Sequence, residues 1–102
     1  MIHVVAVITA HPGQRAKILA AFAANRGKVL AEAGCIEYAA TIDATGQPPS
    51  RGTFGEDTVV ILEKWESLAA LQAHAASAHM ADYSAKTREF TAKRTIHVLE
   101  PV

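Results

Sequence analysis

The segment Thr58–Trp65, which reads TVVILEKW, constrains the fold more than any other part of the chain. Successive side chains of a strand point to opposite faces, so Val60 and Leu62 share one face. The opposite face receives Val59, Ile61, Glu63 and Trp65. Both faces are largely apolar, which predicts a strand that is covered on both sides. The segment Ile2–Thr9, IHVVAVIT, has the same character and predicts a second strand of this kind.

Helical periodicity, turn residues and β-branched runs predict the other elements. A long helix at Gln14–Ala33 carries an apolar stripe and ends before Gly34, a residue suited to a left-handed C-cap. The glycine- and proline-rich segment Asp43–Asp57 is a long loop, and loops of this length tend to be functional or mobile. The remaining elements are strands at Cys35–Ile42 and Arg94–Leu99, a helix from the N-cap Ser67 to about Ser77, and a helical segment at Ala78–Ala92 that Ser77 caps.

The element order is strand, helix, strand, strand, helix, strand, and it predicts an α+β fold. This order is that of the ferredoxin-like βαββαβ arrangement, here with the second helical region broken in two. All 102 residues form one predicted domain, 1–102. The helices of this fold cover one face of an antiparallel sheet, so the other face needs a different cover. We expect a homodimer in which two sheets pack into an α/β barrel.

Composition excludes several classes of partner. Ten basic residues balance ten acidic ones, and the pI is about 7.0, so no basic field is available for a nucleic acid or an anionic membrane. No apolar run reaches the length of about 18 residues that a transmembrane helix needs. The single cysteine, Cys35, excludes a disulfide within the chain and indicates a reducing compartment. The expected location is the cytoplasm.

His74 and His79 are the first candidate functional residues. Five positions separate them, which turns the second ring about 140° away from the first in a continuous helix. Paired metal ligands on a helix are spaced by three or four positions instead. A break near Ser77 could bring the rings together, but no third ligand follows at a recognisable spacing. The sequence therefore predicts no metal site.

Proton chemistry is a second interpretation of these histidines. A neutral imidazole accepts a proton near pH 6.5. Tyr83 follows His79 by four positions, and His74 lies beside the inward-facing Leu71. This spacing allows an apolar cavity that contains two imidazoles and a phenol and that accepts a small aromatic or enolisable ligand. The alternative is that both histidines only cap or pack at a helix junction, and spacing alone favours that alternative.

Three further residues have two interpretations each. Glu63 and Trp65 share a strand face and could form an aromatic wall with a carboxylate that orients a histidine or a ligand. They could equally be a core tryptophan and a glutamate at the rim. Tyr38 is predicted to share a face with Ile36 and Ile42, as a cavity wall or as core. No nucleophile elbow, phosphate-binding loop or dinucleotide-binding motif is present, so no flavin or nicotinamide site is predicted.

Three segments together resemble the antibiotic biosynthesis monooxygenase domain family, and among its members the small bacterial quinol monooxygenases. They are HPGQ after the first strand, GCIEY, and DTVVILEKWESLAALQAHAASAHMADY. The resemblance implies a homodimeric α/β barrel with one pocket per subunit. It also implies oxygenation of a quinol-like or polycyclic aromatic by O₂ without metal, flavin or haem. The residues that it places at the pocket are His74, His79 and Tyr83 as catalytic candidates, with Trp65, Glu63 and Tyr38 as lining; the base is one of the two histidines.

Three alternatives to this function differ in what they require. Haem-degrading relatives carry an asparagine and a histidine where this chain has Ala6 and Ser84, so haem degradation is disfavoured. Another branch isomerises a phosphorylated signalling dione, which would need cations in the pocket. Only Lys86 and Arg88 lie near the helical stripe. The third alternative is a dimer that binds a small molecule without catalysis.

Overall fold

The computed structural model describes residues 1–102 and confirms the predicted order of elements. The order is strand β1, helix α1, strands β2 and β3, helices α2 and α3, a short 3₁₀ turn, and strand β4. The bounds are β1 Ile2–Ala10, α1 Arg15–Leu30, β2 Cys35–Thr41, β3 Thr58–Trp65, α2 Leu68–Ala75, α3 Ala78–Thr87, the 3₁₀ turn Arg88–Phe90, and β4 Thr91–Leu99. No helix in the structure is long and apolar enough to cross a membrane.

The four strands form one antiparallel sheet in the order β2-β3-β1-β4. This is the ferredoxin-like topology, in which the first strand lies at the centre and pairs with both the third and the last. Val4 of β1 pairs with Glu63 of β3 on one side and with Val98 of β4 on the other. The three residues therefore form one row across the sheet.

The second helical region breaks at Ser77, as predicted. Ser77 has extended backbone angles, φ −70° and ψ 152°, and its hydroxyl donates to the carbonyl oxygen of His74 at 2.7 Å. At the start of α2, the side chain of Ser67 accepts a hydrogen bond from the backbone N–H of Ala70. The Ser77 side chain makes no capping hydrogen bond to α3, so it closes the end of α2 while its extended backbone separates the two helices.

Three predicted boundaries are wrong by three residues or more. Helix α3 ends at Thr87 rather than Ala92, because a 3₁₀ turn and strand β4 follow it. Helix α1 ends at Leu30 rather than Ala33, because the next residues form a tight turn in which Glu32 N–H donates to the carbonyl of Val29. Strand β4 begins at Thr91 rather than Arg94. The hydroxyl of Thr91 donates to the carbonyl of Thr87, which closes the end of α3 and frees the following backbone for the sheet.

The hydrophobic core lies between α1 and one face of the sheet. Every second residue of β1 is buried there, and Ile18, Phe22 and Val29 of α1 pack against them. The Phe22 ring stacks on Tyr38 at 4.8 Å between centroids. Tyr38 does not share its environment with Ile36 or Ile42, which are 47% and 48% exposed. The register of β2 shifts between Cys35 and Glu37, which breaks the predicted alternation at Ile36, and Ile42 lies beyond the end of the strand.

One chain covers only one face of its sheet. The uncovered face carries Leu62, which is 36% exposed, together with Val5, Val7 and Val60, which are only partly buried. Strand β4 is poorly covered even on the helix side, because Ile96 and Val98 are about half exposed there. The predicted cover of both faces is therefore not supplied within a single chain.

Candidate functional site

A cavity of about 590 Å³ lies between the sheet and helices α2 and α3. This volume falls in the range that holds a drug-sized ligand. Most of the lining is apolar, and strands β1 and β4 form the floor. The polar and aromatic side chains of the lining are Tyr38, Glu63, His74, Tyr83, Ser84, Thr87, Arg88, Thr91 and Arg94.

His74 stands in the last turn of α2 and is 4% exposed. Its ring lies 4.6 Å from the Trp65 ring between centroids and meets the edge of Tyr38 at 5.5 Å. Its Nδ1 atom lies 2.7 Å from Oε2 of Glu32. The ring is therefore fixed by two aromatic contacts and by one short hydrogen bond to a carboxylate.

Glu32 joins both histidines. Its Oε2 atom also lies 3.0 Å from Nε2 of His79, which is within hydrogen-bond distance of Ser77 as well. A carboxylate only accepts hydrogen bonds, so each ring nitrogen that faces an ionised Glu32 is an N–H donor. A neutral His74 then carries its proton on Nδ1 and keeps a lone pair on Nε2.

The Nε2 atom of His74, a residue of the cavity lining, has no hydrogen-bond partner within the chain. Its nearest carboxylate oxygen, Oε1 of Glu63, is 4.0 Å away, which is too far for a hydrogen bond. Every fully buried side-chain nitrogen or oxygen atom of the chain has a hydrogen-bond partner. Because Nε2 has no partner, it is not one of these fully buried atoms. Its lone pair is therefore available to a ligand in the cavity that His74 lines.

Glu63 is buried beside this imidazole. Its Oε1 atom accepts a hydrogen bond from Nε1 of Trp65 at 2.9 Å. Burial raises the pKa of the Glu63 carboxyl, and the contacts with Trp65 and His74 oppose that rise. Desolvation dominates, so Glu63 holds a proton at higher pH than an exposed glutamate does.

The two tyrosines of the cavity are neutral phenols at physiological pH. Burial raises the pKa of both Tyr38 and Tyr83. The positive charge of Arg94 opposes this rise at Tyr83, and the charge of Glu63 adds to it. The Tyr83 phenol therefore lies within the electrostatic reach of a cation and of a carboxyl group.

The structure brings the predicted site residues together in two layers. His74, Tyr83, Glu63 and Tyr38 line the cavity. His79 and Trp65 lie behind it: His79 contacts Glu32, and the completely buried Trp65 donates to Glu63. In this geometry His79 and Trp65 can affect a ligand only through the residues that line the cavity.

The sequence indicated Arg88 as a cation near the pocket, but it did not indicate Glu32 or Arg94 as residues of the site. Glu32 follows α1 and lies far from both histidines in the sequence; its only local signal is Gly34, whose φ of +83° turns the chain back toward α2. Arg88 and Arg94 line the cavity, although Arg94 was predicted only as the start of a strand. The polar residues of the strand segment TAKRTIHVL did not predict that the helices leave one face of this strand exposed.

Glu32, His74 and His79 are also the residues that could hold a metal ion. One donor atom from each lies within 4.8 Å of the others, so Glu32 supplies the third ligand that the sequence spacing did not reveal. Two imidazoles and a carboxylate suit zinc or another first-row divalent ion. In the structure the same atoms are joined by hydrogen bonds of 2.7 and 3.0 Å, which already satisfy both ring nitrogens.

Comparison with known sequences gives two concordant matches. The family model described as antibiotic biosynthesis monooxygenase matches residues 1–86. The Escherichia coli K12 protein named "Probable quinol monooxygenase YgiN" is 36% identical over 103 residues, which cover 99% of this chain and 98% of that protein. A protein of the same name from Shigella flexneri matches equally well.

Solved structures share the fold over nearly the whole chain. PA3566 from Pseudomonas aeruginosa superposes with a TM-score of 0.82 at 24% identity, over 99% of this chain and 93% of that one. Rv0793 from Mycobacterium tuberculosis superposes with a TM-score of 0.80 at 26% identity, over 99% and 94%. The cavity is therefore built on a fold that distant sequences also adopt.

Proposed function

This chain belongs to the antibiotic biosynthesis monooxygenase family, and we propose that it is a cofactor-independent monooxygenase that oxidises a small quinol-like or polycyclic aromatic with O₂. The named relative supports the quinol class of substrate. The apolar cavity supports an aromatic ligand, because most of its lining offers only van der Waals contact. The observation that carries the proposal is the free Nε2 atom of His74 in the wall of that cavity.

His74 is the proposed general base. A phenolic hydroxyl of the substrate gives its proton to Nε2, and the imidazolium that forms is stabilised by the ionised carboxylate of Glu32 at Nδ1. Glu32 also selects the tautomer that leaves Nε2 free. His79 holds Glu32 from the other side, so it is proposed as a positioning residue. This arrangement favours His74 over His79 as the residue that takes the substrate proton.

The oxygenation needs no external reductant. The deprotonated quinol is electron-rich and passes electrons to O₂. One oxygen atom forms a new C–O bond, and the other leaves as water, so a dihydroxyarene and O₂ give a hydroxyquinone and water. All four electrons come from the substrate. The protein contributes the base, the orientation of the ring, and an apolar wall that limits access of water to reactive intermediates.

Oxygen uptake tests the proposal. Metal-free protein is mixed with chemically reduced naphthoquinones, and the rate is compared with autoxidation in buffer. We expect substrate-dependent uptake that the substitution His74→Ala abolishes and that Glu56→Gln, on an exposed loop, leaves intact. No uptake above autoxidation across a panel of quinols would contradict the proposal. Binding without turnover would indicate the non-catalytic dimer instead.

A second candidate is isomerisation of a small phosphorylated dione. The specific observation in its favour is that Arg88 and Arg94 line the cavity, where they could bind a phosphate group. His74 would then take a proton from carbon beside a carbonyl group rather than from a phenol. Nuclear magnetic resonance of a phosphorylated dione in deuterated buffer would show catalysed exchange of the acidic C–H. Quinol oxidation without such exchange would exclude this candidate.

We also infer that two copies pack through the uncovered sheet face into a barrel. The partly exposed Val5, Val7, Val60 and Leu62 support this, because a polar surface would suit a monomer better. Light scattering at micromolar concentration is expected to give twice the mass of the 10.8 kDa chain. A species of single-chain mass alone would contradict the dimer.

The cytoplasm is the proposed place of this activity. The single, half-buried Cys35 supports a reducing compartment, because the chain has no disulfide to protect it elsewhere. Fractionation of cells that make the tagged protein tests this location.

A further inference from the structure

The cavity has two chemically different ends. Glu63, Val4 and Val98 form one row across the sheet, and His74 lies beside that row. Arg94 lies on the same face of β4, four residues from Val98, which corresponds to about 13 Å along a strand. His74 therefore lies beside one end of the cavity floor, and the backbone of Arg94 lies at the other end.

Arg88 and Arg94 have no acidic partner within the chain. The ion pairs of the structure join Lys64 to Glu37, His74 to Glu32 and Glu63, and His79 to Glu32. Neither arginine takes part in a side-chain hydrogen bond. Both arginines are exposed residues in the lining of a largely apolar cavity, and their two guanidinium groups offer up to ten N–H donors to a ligand.

From these two unpaired arginines we infer that the ligand of this cavity is an amphipathic aromatic with an anionic substituent. Arg94 and Arg88 bind that substituent, which is a carboxylate or a phosphate. The inference rests on the proposed function in taking the cavity as the substrate site. Planar guanidinium groups bind either anion through paired hydrogen bonds. Ser84, Thr87 and Thr91 add hydroxyl groups to the lining of the cavity.

The charge pattern also fixes the direction in which such a ligand binds. The carboxyl groups of Glu32 and Glu63 surround His74, so an anion at that end meets like charges. The anionic group therefore turns toward the arginines, and the opposite edge of the ring system, with its hydroxyl group, reaches Nε2 of His74. The apolar middle is supplied by Ala6, Ile61 and Ile96.

Anaerobic calorimetry with three probes tests the inference without turnover. The probes are 1-naphthol, 5-hydroxy-1-naphthoate and 5-hydroxy-1-naphthyl phosphate, which share a ring system and a hydroxyl group and differ in the substituent at the opposite edge of the ring system. We expect at least one acidic probe to bind about tenfold or more tighter than 1-naphthol, because an anionic group gains charge-assisted hydrogen bonds from a guanidinium that a neutral ring does not. The tighter of the two acidic probes identifies the substituent as carboxylate or phosphate, and either order supports the inference.

Arginine variants connect that preference to the site. R94Q and R88Q should each reduce the preference, and the double variant should abolish it while 1-naphthol binds as before. R94K, which keeps the charge, should retain part of it, and R51Q, on an exposed loop, should retain all of it. Equal binding of the three probes, or a preference that survives in the double variant, would overturn the inference. A preserved preference in protein that consumes no oxygen would instead contradict the proposed oxygenation.

Discussion

The Nδ1 atom of His74 and the Oε2 atom of Glu32 lie 2.7 Å apart, although 42 positions separate the two residues in the chain. This contact orients the ring of His74, the proposed base, and it predicts that substitutions of the two residues lower kcat by different amounts. His74→Ala removes the proton acceptor and should lower kcat by about 10²- to 10⁴-fold. Glu32→Gln should lower kcat by about 10- to 100-fold with little change in KM, because the amide carries no negative charge to stabilise the imidazolium and orients the ring less firmly than the carboxylate.

Steady-state oxygen uptake measures both effects, and Glu56→Gln controls for the loss of one negative charge at an exposed position. Equal kcat values for the parent and Glu32→Gln would contradict the orienting role of this carboxylate.

His79 is expected to act through Glu32 rather than on the substrate. His79→Asn should lower kcat by less than His74→Ala, because the His79→Asn variant keeps the His74–Glu32 contact and loses only its second support. In the Glu32→Gln background, His79→Asn should lower kcat little further, because His79 is proposed to act only through Glu32. A double-mutant cycle on kcat tests this, and fully additive losses would place His79 in direct contact with the substrate.

The fold and the residues of the cavity wall follow from the sequence more directly than this contact does. Strict alternation in β3 predicted that Glu63 shares a face with Ile61 and Trp65, and the burial pattern agrees. Short-range signals at Ser67 and Ser77 predicted the two helix starts. Glu32 had no such signal, because its role depends on how α1 packs against α3. The bulge in β2 and the open side of β4 are likewise decided by tertiary packing.

Glu63 should make stability depend on pH in a predictable direction. Its pKa is about 4.5 in the unfolded chain and is raised by burial in the folded one. The folded state therefore binds more protons, and this contribution to the free energy of unfolding is lost as pH rises from about 4.5 through the higher folded value. Glu63→Gln keeps an acceptor for Trp65 and carries no charge.

The stability of Glu63→Gln relative to the parent should therefore increase between pH 4.5 and pH 7. Urea unfolding of both proteins at the two pH values measures the difference, with Glu56→Gln as the charge control. A relative stability that falls with pH would mean that the buried carboxylate is favoured over its neutral form.

Removal of metal ions is expected to leave turnover unchanged. Although Glu32, His74 and His79 could hold a divalent ion, the proposed reaction uses them through hydrogen bonds and proton transfer. Protein dialysed against a chelator should keep its rate of oxygen uptake, and added zinc should inhibit because it competes with the proton for these nitrogens. A loss of activity that zinc or iron restores would instead identify the cluster as a catalytic metal site.

Gly34 should be the glycine that tolerates substitution least. Its φ is +83°, and a Cβ atom there would lie 2.7 Å from the Cβ atom of Ala70 on α2. Gly34→Ala should lower the free energy of unfolding by about 2 kcal/mol or more, from backbone strain and from the displaced helix. Gly27→Ala, in the middle of α1 with open space around it, should raise the free energy of unfolding by about 0.5–1 kcal/mol.

Urea unfolding measures the two alanine variants side by side. Similar stabilities would mean that α2 moves away from the turn at no cost, and that this turn does not fix the position of Glu32.

The pairing of β1 with β4 has a consequence for the order in which the protein acquires its activity. His3 pairs with Leu99, so the cavity floor joins the two most distant parts of the chain. Closing so long a loop is entropically costly, and contacts of this kind tend to form late and slowly. The His74–Glu32 contact needs only residues between α1 and α3. We therefore expect a refolding chain to form the His74–Glu32 contact, the proposed proton-transfer pair, before the cavity floor is complete.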